Sequence, residues 1–165
     1  SVLEIGLLES IFHIVSFCFE LPSGVVADVF GRKRTLVLSQ VMMLLSGGLM
    51  ILSDSFGTVA LAIGSSALSY NLASGTREAL AYDSLKKDGN EDAYNRFSST
   101  EMMFYRITQS SATLCAGLAL WLGYRKAYML DLLFGLVALF IAGSLQEVMK
   151  DVETKNKSSR ELKNA

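Results

Sequence analysis

The sequence predicts an all-α protein whose helices cross a membrane several times. Hydrophobic residues make up 51% of its 165 residues and charged residues only 19%. Three long segments carry no charged side chain, namely 35–53, 55–76 and 107–124. A helix that crosses about 30 Å of hydrocarbon needs about 20 mostly apolar residues, and a soluble helix of that length normally keeps a polar face. Several such segments in series therefore favour a polytopic transmembrane helix bundle over a soluble domain.

Five spans are predicted within residues 1–148, and the polar residues 149–165 are predicted to form a cytoplasmic linker or tail. Because its ring removes a helical hydrogen bond, Pro22 is expected to kink the first span. The chain begins with Ser1 and enters a span with no signal-peptide pattern, so we expect a fragment of a longer protein. The spans cover about Ile5–Phe30, Thr35–Leu52, Phe56–Tyr82, Phe97–Leu122 and Tyr124–Leu145.

Basic residues in the loops predict the orientation of these spans. Eleven lysines and arginines fall on the side of the 32–34 loop, whereas the opposite loops hold only Arg125 and Lys126. Since positively charged loops stay in the cytoplasm, the 32–34 loop and the C-terminal tail are predicted to be cytoplasmic. We expect a multi-pass protein of the plasma membrane, with the lipid bilayer as its first partner.

Several classes of function find no support in the sequence. The net charge of −1 gives no sign of nucleic-acid binding, and the single histidine does not suffice for a histidine-rich zinc site. Cys18 and Cys115 both lie in apolar segments and are expected to be small buried hydrophobic residues rather than a disulfide framework. No phosphate-binding glycine loop or nucleophile elbow is present, so we expect no cofactor, no metal site and no enzymatic activity.

A motif follows the first span. Residues 24–33 read Gly-Val-Val-Ala-Asp-Val-Phe-Gly-Arg-Lys. This resembles the signature between helices two and three of the major facilitator superfamily, although Val29 replaces the usual basic residue. The matching positions are Gly24, Ala27, Asp28, Gly31, Arg32 and Lys33.

The resemblance implies the N-terminal half of a transporter of this superfamily, helices two to six, without the first helix and the C-terminal half. It implies secondary active, ion-coupled transport of a small solute by alternating access. In the family this loop helps to lock the cytoplasmic gate, and Asp83 stands where a further acidic residue completes the network. We therefore expect a relay Asp28–Arg32–Asp83. The alternative is that these charges are solvated and only set the topology.

The first span carries three ionisable residues on one face. At 100° per residue, Glu9, His13 and Glu20 fall within a narrow sector. Charged side chains at mid-bilayer cost about 2.5–3.5 kcal/mol each on insertion scales, so they should face protein or water. We expect them to line a cavity, with Glu20 or His13 taking part in proton coupling. A hydrogen bond or ion pair that only fixes helix packing is the alternative.

A second set of charges lies on the third and fourth spans. Arg77 and Arg106 are expected to pair with Glu78, Glu101 or Glu20 in a structural network, because buried arginines are usually paired. An anion site is the sharper alternative, since a guanidinium group binds carboxylate or phosphate well.

Two other functions remain open on the sequence. A small helical membrane protein with a structural or assembly role would have the same spans without transporting anything. A membrane-embedded enzyme would need paired acids or a metal cluster at membrane depth, and only Glu9, His13 and Glu20 come near that requirement.

Overall fold

The structure is a computed structural model that describes residues 2–146. Across this range the chain is all-helical and contains no strand, which confirms the predicted all-α fold class. The predicted tail, residues 149–165, lies outside the described residues. The six helices are α1 (Val2–Phe30), α2 (Arg32–Ile51), α3 (Phe56–Lys87), α4 (Ala93–Leu114), α5 (Ala116–Leu122) and α6 (Tyr124–Ser144).

Two of the tightest connections depend on glycine. Gly31 joins α1 to α2 with φ 94°, and Gly123 joins α5 to α6 with φ 86°. Backbone angles in this left-handed region are strained for residues that carry a Cβ. The α2–α3 connection instead ends in a capping box, in which Ser55 accepts from the backbone N–H of Thr58 at 3.3 Å.

The predicted fourth span is wrong as a single helix. It consists of α4 and α5, separated at Cys115, whose carbonyl accepts from the N–H of Leu118 at 2.9 Å. This three-residue spacing is tighter than the α-helical one and marks a local turn between two helices. The neighbouring N–H of Cys115 still bonds to the carbonyl of Ser111, so the chain runs on with only a short break. The sequence has no proline or glycine at position 115 that would predict a break in the helix.

Helix α3 lies at the centre of the bundle and packs against α1 and α2, while α6 packs along α2. The interfaces are built from small residues, and Ala62, Ala67 and Ser39 are almost completely buried. Small side chains let helix backbones approach closely, which is how helices associate in lipid without a strong hydrophobic driving force. Ser69 adds a buried hydrogen bond between α3 and α2 by donating to the Ser39 carbonyl at 2.8 Å.

Three helices are long and apolar enough to cross a membrane. They are α1, α2 and α6, with mean hydropathies of 1.8, 1.5 and 1.9. Large apolar side chains such as Phe17, Phe134 and Phe140 point outward on them, as expected for surfaces that face lipid. The predicted third and fourth spans are not among these three, since α3 and α4 carry more serine, threonine and charged side chains.

Candidate functional site

The motif after the first span forms an ion pair between α2 and α3. Arg32 opens α2 directly after the Gly31 turn, and its guanidinium contacts the Asp83 carboxylate. The same guanidinium donates to the backbone carbonyl of Ala79. The two charged side chains are 16% and 20% exposed. Partial burial makes this pair stronger than a surface pair, because less water screens the two charges.

The second contact of the expected relay, between Asp28 and Arg32, is not formed in the described structure. Within residues 2–146, the Asp28 carboxylate makes no ion pair or hydrogen bond, although Asp28 and Arg32 line the same cavity. Side chains four residues apart face each other on a continuous helix, and Gly31 interrupts the helix between Asp28 and Arg32. No neighbouring helix packs closely against Gly24 in the described chain, since a Cβ built there meets nothing within 4 Å. Lys33 lies half-buried in the first turn of α2.

The three ionisable residues of the first span separate into two places. The Nε2 atom of His13 lies 3.4 Å from a Glu9 carboxylate oxygen, and both side chains are exposed. Phe12 links this pair to α3, because its ring packs edge-on against His13 and contacts the Tyr70 ring at a centroid distance of 6.3 Å. Glu20 lies 11 residues beyond Glu9, about 16 Å further along the helix, and lines a cavity.

This cavity has a volume of about 530 Å³ and lies between α1 and α3, with α2 at one end. Asn71 connects its two walls by donating from its side-chain amide to the Ser16 carbonyl at 3.2 Å. Asn71 is not among the residues predicted from the sequence, where its only signal is a lone amide in the uncharged segment 55–76. Polar or aromatic groups that line the cavity come from Glu20, Ser23, Asp28, Arg32, Tyr70, Asn71, Ser74 and Thr76.

Comparison with known families agrees with the motif and the helical fold. The sequence model of the Major Facilitator Superfamily matches residues 1–164. The chain belongs to the major facilitator superfamily. No curated protein and no solved structure matches it. It is therefore a multi-pass membrane protein of a transport superfamily, and the resemblance read from residues 24–33 is confirmed at the level of the family.

The second set of predicted charges forms one loose pair in this superfamily member. The guanidinium of Arg77 lies 3.9 Å from the Glu101 carboxylate and connects α3 with α4. These side chains are 57% and 35% exposed, so solvent screens the pair. Glu78 and Arg106 are also exposed, and among the described side chains neither joins this pair. The structure therefore brings two of these four charges together, and none of the four lines the Glu20 cavity.

A further ion pair closes the opposite end of the bundle. Arg125 at the start of α6 donates to the Asp54 carboxylate at 2.8 Å, and to the Tyr124 hydroxyl at 2.9 Å. This contact joins the α2–α3 connection to the start of α6. Sequence reasoning counted Arg125 only as a loop charge, because nothing in the sequence places residues 54 and 125 side by side.

The described part of the chain contains no cluster of side chains that could bind a metal ion. Within residues 2–146, no group of three or more histidine, cysteine, aspartate and glutamate side chains is placed to hold a metal ion. Cys18 and Cys115 are both exposed free thiols. The predicted burial of both cysteines is therefore wrong, since both lie on exposed faces of their helices within residues 2–146.

Proposed function

We propose that this chain is part of a secondary active transporter that moves a small solute across the plasma membrane by alternating access, driven by an ion gradient. The cavity between α1 and α3 carries the proposal, because it places a carboxylate, Glu20, in an open polar space inside a bundle of a transport superfamily. A charged side chain at membrane depth is costly, and in membrane proteins it marks a substrate or ion pathway. The first helix and the C-terminal half of the same transporter are the proposed partners, and both halves would enclose the solute.

The Arg32–Asp83 ion pair is the proposed gate at the cytoplasmic end. It ties the start of α2 to the C-terminal part of α3, directly beside the cavity that Arg32 also lines. Asp28 lines the same cavity without a described ion-pair partner. Arg32 can therefore exchange Asp83 for Asp28 when the helices separate, which gives the expected relay two alternating states. We assign this gate to the cytoplasmic side because the loop at residues 32–34 is positively charged.

Glu20 is the proposed coupling group. Its carboxylate opens to the cavity and makes no hydrogen bond or ion pair within the described chain, so a proton or a cationic solute can reach it. The Glu9–His13 pair is the second candidate, because its carboxylate and imidazole lie 3.4 Å apart and both side chains are exposed. The two candidates lie on one helix, with Glu20 about 10 Å along the axis from His13 and about 16 Å from Glu9, and separate substitutions distinguish them.

The test uses the full-length transporter in proteoliposomes that contain a pH-sensitive dye. Solutes are added singly in the presence of a pH gradient, and a transported solute is recognised by solute-dependent proton movement. We expect Glu20→Gln to abolish proton movement while solute exchange without a gradient persists. Glu91→Gln in the α3–α4 connection is the matched control, since it removes a carboxylate that does not line the cavity. Coupling that survives Glu20→Gln would move the role to Glu9 and His13.

A structural or assembly role is the second candidate. It is favoured by α4, in which every residue from 102 to 114 is exposed, so this helix offers a long unpartnered surface. The proteoliposome experiment distinguishes the two functions. Absence of flux for every solute tested, with the protein correctly inserted, would favour the assembly role.

A further inference from the structure

Ser16 has a buried hydroxyl oxygen that makes no hydrogen bond to any of the described residues. Other serines in these helices donate to a carbonyl of their own helix, as Ser10 does to Gly6 at 2.8 Å. A buried hydroxyl without a partner lowers stability, and in proteins such groups usually meet ordered water. The Ser16 hydroxyl therefore indicates bound water at this place on α1.

Ser16 lies on α1 between an exposed ion pair and the cavity. His13, three residues earlier, pairs with Glu9 at 3.4 Å, and Glu20, four residues later, lines the cavity. At 100° per residue, the four side chains fall within a sector of about 60° on the helix. They form a polar stripe that runs from the ion pair to the cavity, namely Glu9, His13, Ser16 and Glu20.

Helix α3 brings an amide to the middle of the polar stripe. Asn71 donates from its side-chain amide to the backbone carbonyl of Ser16 at 3.2 Å, which leaves its carbonyl oxygen as an acceptor. A buried water molecule needs two or more polar partners. The Ser16 hydroxyl and the Asn71 carbonyl oxygen provide such partners, so water can be held here between the two helices.

Few other titratable groups face this part of α1 within the described chain. The helices packed against α1 are α3 and α2. Between residues 56 and 76, α3 has one titratable side chain, Tyr70, whose ring contacts Phe12 at a centroid distance of 6.3 Å. The charged residues of α2 all lie in its first turn, at 32–34. A proton that approaches Glu20 from the N-terminal end of α1 therefore meets the polar stripe first.

We propose that Ser16 is a proton-relay residue that connects the Glu9–His13 pair to Glu20 through bound water. His13 accepts a proton at one ring nitrogen and releases one from the other. The released proton passes through a water molecule to the Ser16 oxygen, and the hydroxyl proton of Ser16 passes through a second water molecule to the Glu20 carboxylate. One proton enters at His13 and one arrives at Glu20, so Ser16 and both water molecules are unchanged.

This inference rests on the proposed transport function, since it gives the coupling carboxylate a second route for protons. The cavity opens Glu20 toward the Arg32–Asp83 gate, and the polar stripe reaches Glu20 from the opposite end of α1. A coupling carboxylate in alternating access has to exchange protons with both sides of the membrane. The Glu9–His13 pair then serves Glu20 rather than replacing it.

The test follows the protonation of Glu20 by time-resolved infrared spectroscopy. The full-length transporter is placed in proteoliposomes in a single orientation, and the band of the protonated Glu20 carboxyl is identified by its absence from Glu20→Gln. Photolysis of a caged proton releases acid on one side of the membrane at a time. We expect Ser16→Ala to slow protonation about fivefold to hundredfold from the side of the α1 N-terminus, and to leave the rate from the gate side unchanged.

Matched variants separate the relay from helix packing. Ser16→Ala keeps the contact with Asn71, because that hydrogen bond uses the Ser16 backbone carbonyl. Ser16→Thr keeps a hydroxyl and should retain the original rate, whereas His13→Gln should slow protonation from the same side as Ser16→Ala. Ser10→Ala is the control, since it removes an exposed hydroxyl of the same helix that already donates to Gly6.

Three results would overturn the proposal. They are an unchanged rate in Ser16→Ala, equal slowing from both sides of the membrane, and no protonation of Glu20 from the α1 N-terminal side in the unaltered protein. Equal slowing would mean that Ser16 acts on the packing around Glu20 and not on a route. The transport function fails separately. If Ser16→Ala slows protonation from one side as expected and proteoliposomes show no flux of any solute, the relay stands and the transport proposal is wrong.

Discussion

Asp83→Asn tests the ion pair at the proposed gate. The substitution keeps the size of the side chain and removes its charge, so the Arg32 guanidinium keeps its bond to the Ala79 carbonyl and loses its charged partner. Removing one member of a fully buried ion pair costs about 3–5 kcal/mol, whereas exposed pairs contribute about 0–1 kcal/mol. With exposures of 16% and 20%, the Asp83 pair lies between these limits, and we expect a loss of about 1–3 kcal/mol.

The assay is thermal unfolding of the 165-residue protein in detergent, followed by circular dichroism. A loss of this size lowers the Tm by about 2–12 °C for a protein of this length. Arg32→Gln and the double variant complete a thermodynamic cycle, in which we expect a coupling of about 0.5–3 kcal/mol. Glu91→Gln provides the control for removal of a carboxylate. The reasoning is refuted if Asp83→Asn unfolds at the same temperature as Glu91→Gln, or if the cycle gives no coupling.

Three further predictions concern packing and surface charge. Gly47→Ala should destabilise the α2–α6 contact by up to about 1 kcal/mol, since its new Cβ meets Leu132 at 3.3 Å. The control Gly48→Ala should be neutral or stabilising, because a Cβ there meets nothing within 4 Å. Thermal unfolding of both variants tests this prediction, and equal Tm values would contradict it. Ser69→Ala removes one buried interhelical hydrogen bond and should lower the free energy of unfolding by about 0.6–1.7 kcal/mol in the same assay. An unchanged Tm would show that this hydrogen bond contributes nothing to stability. Glu101→Gln should change stability by less than about 0.5 kcal/mol at physiological salt, because its partner Arg77 is largely exposed; a larger loss would mean that the pair is shielded in the bilayer.

The fold class followed from the sequence because it depends on a local property. A long uncharged segment has to form a helix in lipid, since every backbone N–H and C=O must find its partner within that segment. The same holds for residues 24–33, whose glycines and charges identified the superfamily. The break at Cys115 escaped prediction because it depends on hydrogen-bond geometry between Ser111 and Leu118, and their side chains are compatible with a continuous helix.

The candidate site could be predicted from the sequence only in part. The motif indicated Arg32 and Asp83 as members of one network, and the structure brings these two side chains into contact. It leaves Asp28 apart from Arg32, because the backbone angle at Gly31 turns α2 away from the axis of α1. The gating and coupling roles of these residues stay predictions until transport is measured.

The sequence by itself determined that this protein is a helical membrane protein of the major facilitator superfamily, because hydropathy and a short motif are properties of consecutive residues. The tertiary structure decided which charges meet. Arg125 reaches Asp54 across 71 positions, while Glu20 separates from Glu9 and His13 and faces a cavity with Tyr70 and Asn71. Such contacts depend on how helices distant in the chain pack against one another, and the periodicity within one helix carries no information about its neighbours.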